Sequence, residues 1–113
     1  MKKIKRDRTF EKHFKERISP NGELVNQFKY SLELFLTGEL SHLNDHALRG
    51  KLVGKRAFSV EGDVRVIYIE LDDMIVFLDI GSHNQVYRWY RTSRLDPLQD
   101  KNLFVDVHNT EFF

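Results

Sequence analysis

The sequence predicts an α+β domain: an N-terminal strand, a two-helix hairpin and a three-stranded antiparallel meander (β-α-α-β-β-β), with an extra C-terminal segment. Three observations lead there. Phe10, Phe14 and Ile18, then Leu24, Phe28, Leu32 and Phe35, recur at helical spacing. From residue 57 the period becomes strand-like and rich in β-branched and aromatic side chains. Turn residues divide the blocks, as in Ser19-Pro20-Asn21-Gly22 and Glu61-Gly62-Asp63. At 113 residues and 13.5 kDa the chain has room for one core.

Each element follows from its residues. Residues 2–7 read as a short edge strand, because lysine is a common device for blunting a sheet edge. The first helix carries Phe10, Phe14 and Ile18 on one face and ends before Ser19. A second begins near Pro20 or Glu23, turns Leu24, Phe28, Leu32 and Phe35 inward, and stops near Gly38. Residues 41–56 hold turn signals at Asn44-Asp45, Gly50 and Gly54 and read as a loop with one helical turn. Residues 57–60, 64–71 and 74–80 are three strands, joined by Glu61-Gly62-Asp63 and Asp72-Asp73. Two helices on one face of such a sheet leave the opposite face for function. Near the C-terminus, residues 103–107 alternate like a strand, and Phe112-Phe113 form an apolar end.

Composition narrows the function classes. Cysteine is absent, which excludes disulfides, thiolate metal sites and a thiol nucleophile. No apolar run approaches a membrane span, and the charged N-terminus leads into no signal-like apolar stretch, so a cytoplasmic protein is expected. A net charge of +1 looks weak for a nucleic-acid partner. It hides an uneven distribution. Basic residues crowd residues 2–17 and recur at Arg49, Lys51, Lys55 and Arg56, while acid collects between Glu61 and Asp79.

Five histidines are available for proton transfer. His13, among charges on the first helix, reads as solvated. His42 and His46 stand four apart, a spacing used by metal ligands, but no His-Glu-x-x-His pattern accompanies them and no metal is expected. His83 follows Gly81-Ser82 at a strand end, where a rigid scaffold displays it. Arg65 is a charge within an apolar strand, so it either pairs with Asp63 or Glu70 or faces a site. Tyr68 reads as core. Residues 88–94 interleave arginines with aromatics, a composition suited to single-stranded nucleic acid or to arginines lying over packed rings.

Three spaced segments resemble the RelE/YafQ toxins. Residues 43–56, with Asp45-His46, Leu48, Gly50, Leu52, Gly54 and Arg56, are similar to their "DHxLxG…L…G…R" segment. Gly62-Asp63, Arg65 and Tyr68 match a "GD-x-R-x-x-Y" strand, and Gly81-Ser82-His83 with Tyr87 match a "G-[ST]-H-x-x-x-[YF]" ending. The resemblance covers residues 1–87, leaving 88–113 as an extension that adds a strand or packs on the domain or a neighbour. It implies the toxin of a type II toxin–antitoxin pair, a ribosome-dependent mRNA endoribonuclease that needs no cofactor and is neutralised by a cognate antitoxin. Its partners are then mRNA and the ribosome, with no membrane; homodimerisation is left open. Carried over by motif, His46 or Asp63 is the general base, Arg65 holds the scissile phosphate, His83 is the general acid and Tyr87 orients the nucleotide. Arg49, Lys51, Lys55, Arg56 and Arg88 are the expected RNA contacts.

The chain also departs from that pattern. Ser59 stands where some YafQ-like relatives carry another histidine, and Val64 where they carry an aromatic. Two alternatives therefore stay open: a ParE-like gyrase inhibitor that is not a nuclease, and a degenerate toxin that only binds antitoxin.

Overall fold

Asp7 sets the first turn of the chain. Its backbone is extended, and its carboxylate accepts the Thr9 N–H at 2.6 Å, so it closes strand β1 (Lys3–Asp7) and caps helix α1 (Arg8–His13). This computed structural model describes residues 2–92 and 104–107, with side chains over 2–88. Helix α1 runs on as a wider π turn (Phe14–Ile18). Helix α2 (Gly22–Thr37) is capped by Asn21, whose side chain accepts from Glu23 and Leu24 N–H, and it ends at Gly38, left-handed at φ 84°. The two helices form the expected hairpin.

The loop from residue 39 to 55 contains two 3₁₀ turns (Leu40–His42 and Gly50–Leu52) around a two-residue strand, β2 (His46–Ala47). Strands β3 (Arg56–Glu61), β4 (Val64–Glu70) and β5 (Met74–Ser82) make the antiparallel meander. Helix α3 (His83–Thr92) follows directly, and β6 (Phe104–Val107) is the last described element.

The sheet order is β2-β3-β4-β5-β1-β6, with β1 parallel to β5 and every other pair antiparallel. That corrects the reading of residues 2–7 as an edge. Strand β1 lies inside the sheet, flanked by β5 and β6, and its lysines blunt nothing. Pairing of β6 with β1 agrees with the strand expected at 103–107, whereas Phe112-Phe113 lie outside the described residues. Helix α3 crosses the boundary expected between residues 87 and 88.

Two cores sit on the two sheet faces. On one face the helical hairpin brings Phe10, Ile18, Phe28, Leu32 and Phe35 onto Phe58, Val66, Tyr68, Phe77 and Ile80. On the other, Leu48 and Leu52 of the loop and Val86 of α3 cover Ala57, Ile67, Val76 and Leu78. The expectation of a wholly free second face is corrected by this smaller core. Among the described residues, this core does not extend to the end of that face nearest the β3–β4 turn.

Candidate functional site

Alternation along β4 decides where Arg65 goes. Val66 and Tyr68 belong to the hairpin core and Ile67 and Ile69 to the smaller one, so Arg65 shares the second face. Its cross-strand neighbours are Ser59 on β3 and Gly81 on β5, both too small to cover it. Its Nη2 donates to Asp63 Oδ1 at 3.2 Å, while its buried Nε has no hydrogen-bond partner among the described residues. Of the acids considered from sequence, Asp63 is the partner; Glu70 pairs with Lys2 at 2.8 Å.

Asp63 follows Gly62, left-handed at φ 52°, in the β3–β4 turn. Its other oxygen, Oδ2, accepts the His83 backbone N–H at 3.3 Å. One carboxylate thus ties Arg65 to His83. His83 opens α3 through a capping box: Ser82 Oγ accepts the Gln85 N–H at 3.2 Å, and Gln85 Oε1 accepts the Ser82 N–H at 2.8 Å. The His83 ring is exposed and lies 4.3 Å from that of Tyr87, one helical turn on. Tyr87 rests against the smaller core.

His46 stands opposite Ala57 in the β2–β3 register, which places it on the same face as Arg65. Its Nδ1–H donates to the Asn44 carbonyl at 2.8 Å, leaving Nε2 as the free ring nitrogen. Asn44 is left-handed, at φ 50°. Three strand spacings of ~4.8 Å separate β2 from β5, and His46, opposite Ala57, is set two residues along the strands from the Ser59–Arg65–Gly81 row, so His46 and the His83 end of the sheet lie more than about 14 Å apart along the backbone frame, with Ser59 and Arg65 between them.

Arg49 and Lys51 are exposed and Lys55 half-exposed, on a loop pinned to this face by Leu48 and Leu52. Arg88 is exposed on α3. Arg56 is committed elsewhere: Nε and Nη2 donate to Asp45 Oδ1 at 2.8 and 2.5 Å. Asp45 Oδ2 accepts the Tyr68 hydroxyl. Burial, and then the bond to Asp45, push the Tyr68 phenol well above its usual range, so it stays a donor. The Asp45 bond likewise raises Arg56.

Sequence reasoning missed a second polar group, under the sheet. His13 is buried, not solvated, and its Nδ1 meets Asp79 Oδ1 at 2.6 Å. Arg17 reaches the same carboxylate at 3.6 Å and donates to the Ile80 carbonyl at 3.0 Å. Its guanidinium lies against Gly81, where a Cβ would stand 2.6 Å from Nη1. The available signal was Asp79, a carboxylate inside an apolar strand that needs a partner. Among the described residues no group of three or more His, Asp or Glu could hold a metal ion. None of the described helices is long and apolar enough to cross a membrane.

The family model for the YafQ bacterial toxin of type II toxin–antitoxin systems matches residues 2–88. The fold is similar to that of YafQ from E. coli strain BL21(DE3), with a TM-score of 0.66 at 24% identity over 77% of this chain and 99% of that one. It is similar to the E. coli DinJ–YafQ complex, with a TM-score of 0.65 at 26% identity over 77% and 99%. A copper-bound mutant toxin from Helicobacter pylori aligns with a TM-score of 0.60 at 29% identity over 76% and 99%. No curated protein sequence matches the chain.

Proposed function

We propose that this chain, which belongs to the YafQ family of bacterial toxins of type II toxin–antitoxin systems, is an endoribonuclease that cuts ribosome-bound mRNA. The observation that carries the reading is the Asp63 carboxylate, which ties a cation, Arg65, to the backbone N–H of His83, a residue with an exposed imidazole, at one end of a sheet face. RNA cleavage needs three things: removal of the 2′-OH proton, stabilisation of charge on phosphorus oxygens, and protonation of the 5′ leaving oxygen.

In this reading His46 Nε2 takes the 2′-OH proton. The 2′ oxygen attacks phosphorus, and Arg65 holds the charge that grows on the non-bridging oxygens. The bond from phosphorus to the 5′ oxygen breaks, and His83 delivers a proton to the departing oxygen. A 2′,3′-cyclic phosphate and a 5′-hydroxyl remain. Asp63 has one oxygen on Arg65 and one on the His83 N–H, which suits it to positioning and leaves the base role to His46. Tyr87 backs the His83 ring and offers a face for a base. Ser59, between His46 and Arg65, leaves room for the phosphodiester. Arg49, Lys51, Lys55 and Arg88 flank the face and suit backbone contacts.

The partner in this reading is a cognate antitoxin, as DinJ is found in complex with YafQ of E. coli. Mapping mRNA ends after induction tests the function. His83→Ala and Arg65→Ala should relieve growth arrest and abolish the cuts. Intact messages with damaged DNA would instead mark a gyrase inhibitor, and a chain that arrests nothing yet binds an antitoxin would mark a degenerate toxin.

A further inference from the structure

We propose that Asp45, Arg56 and Tyr68 form a positioning network whose task is to hold the His46 imidazole in one tautomer and on the catalytic face. The inference rests on the reading of His46 as the base, and it reassigns Arg56 from RNA contact to support.

Strand β2 is only two residues long and pairs on one side, so backbone hydrogen bonds alone hold it weakly. Side chains of successive strand residues point to opposite faces. Asp45 therefore governs His46: with the carboxylate drawn to the hairpin side, the imidazole must emerge on the other. The carboxylate is drawn firmly. Its side chain is 2% exposed, Oδ1 takes two donors from the Arg56 guanidinium, and Oδ2 takes the Tyr68 hydroxyl. Arg56 and Tyr68 are themselves directly paired between β3 and β4. The Tyr68 ring is fixed edge-on against Phe35, at 5.0 Å, so the anchor reaches into the hairpin core.

The same anchor fixes the tautomer. Asn44, immediately before Asp45, sits at φ 50° and turns its carbonyl onto His46 Nδ1 at 2.8 Å. A backbone carbonyl only accepts, so Nδ1 carries the proton and Nε2 remains basic. Leu43 completes the hold: it is buried, and its carbonyl accepts the Ser59 N–H at 2.7 Å. Release of Asp45 frees β2 and breaks the carbonyl-to-imidazole contact, with the Leu43 anchor intact.

The test reads the imidazole directly and cleavage separately. In the parent protein, nitrogen–proton correlation spectra should show His46 in the Nδ1–H form. Tyr68→Phe keeps the core ring and removes one bond, and Arg56→Ala removes two; both should give a mixture of tautomers. Each should also lower the single-turnover cleavage rate at saturating ribosome about tenfold, part of the ~10²–10⁴ of a general base, with KM unchanged. In a His46→Ala background Tyr68→Phe should cost nothing further. Unchanged His46 signals in both variants would overturn the network, as would a raised KM alone in Arg56→Ala, the mark of an RNA contact. If His46→Ala cleaves as fast as the parent while the tautomer shift is present, the base role fails and the structural role of the network stands.

Discussion

Asp7 is asked for two things that conflict. As the cap of α1 its oxygen accepts the Thr9 N–H, which favours the charged form, yet the residue is fully buried and stands near Asp79. Burial dominates and pushes its carboxyl from 3.8 up to about 6. The uncapped oxygen, Oδ2, has no hydrogen-bond partner among the described residues and is where a proton can sit. The folded chain then holds a proton through a pH range in which the unfolded chain releases it, so this residue's contribution to stability falls as pH rises from about 4 to about 6. Asn caps as well as Asp and carries no charge. Asp7→Asn should match the parent below pH 4 and be more stable by about 2–3 kcal/mol above pH 6, since each tenfold change in proton affinity between the folded and unfolded chain is worth roughly 1.4 kcal/mol. Urea midpoints across that range check it; a gap independent of pH would contradict it. Little at this scale was legible in the sequence. His13 looked solvated because its neighbours in the chain are charged, and its partner Asp79 lies 66 positions away.

Elements were legible where local chemistry decides them. The hairpin, the meander and the Gly62 turn follow from period and turn residues alone. Gly38 is one such signal: it ends α2 at φ 84°, and a Cβ there would meet nothing within 4 Å. Gly38→Ala should therefore cost only the left-handed strain, about 1 kcal/mol. In a domain of this size that lowers the thermal midpoint by about 4–8 °C, with cleavage unchanged at 25 °C; a shift within error would mean the turn relaxes. The start of α3 was also written in the sequence, as Ser82 and Gln85 at capping-box spacing, although the segment ends a buried strand and the helix was not expected there. By contrast, β2 is too short for any periodic signal. It follows Asp45, whose partners Arg56 and Tyr68 lie 11 and 23 residues away.

The whole molecule depends on non-local pairing, which sequence patterns do not specify. Lysines in β1 suggested an edge, but the strand runs parallel beside β5 and inside the sheet. The candidate residues come from motifs, and the structure places His46, Asp63, Arg65, His83 and Tyr87 on the end or face of one sheet. Their support was not legible, because Arg56 as a basic residue looks like any RNA contact until its acid is known. The extension can be tested at this scale. Solved relatives align over 99% of their length with 77% of this chain, so removal of residues 93–113, β6 included, should leave a cooperatively folding, active domain, as circular dichroism melts and cleavage can show. Loss of cooperative folding would make the segment integral to the core.

The most direct test of the central claim is the chemistry of the cut ends. In single-turnover reactions on programmed ribosomes, the parent chain should leave a 2′,3′-cyclic phosphate and a 5′-hydroxyl. His83→Ala should slow that step by ~10²-fold or more, as expected when a general acid is lost. Cleavage by His83→Ala at the parental rate, or 5′-phosphate ends from the parent, would contradict the account.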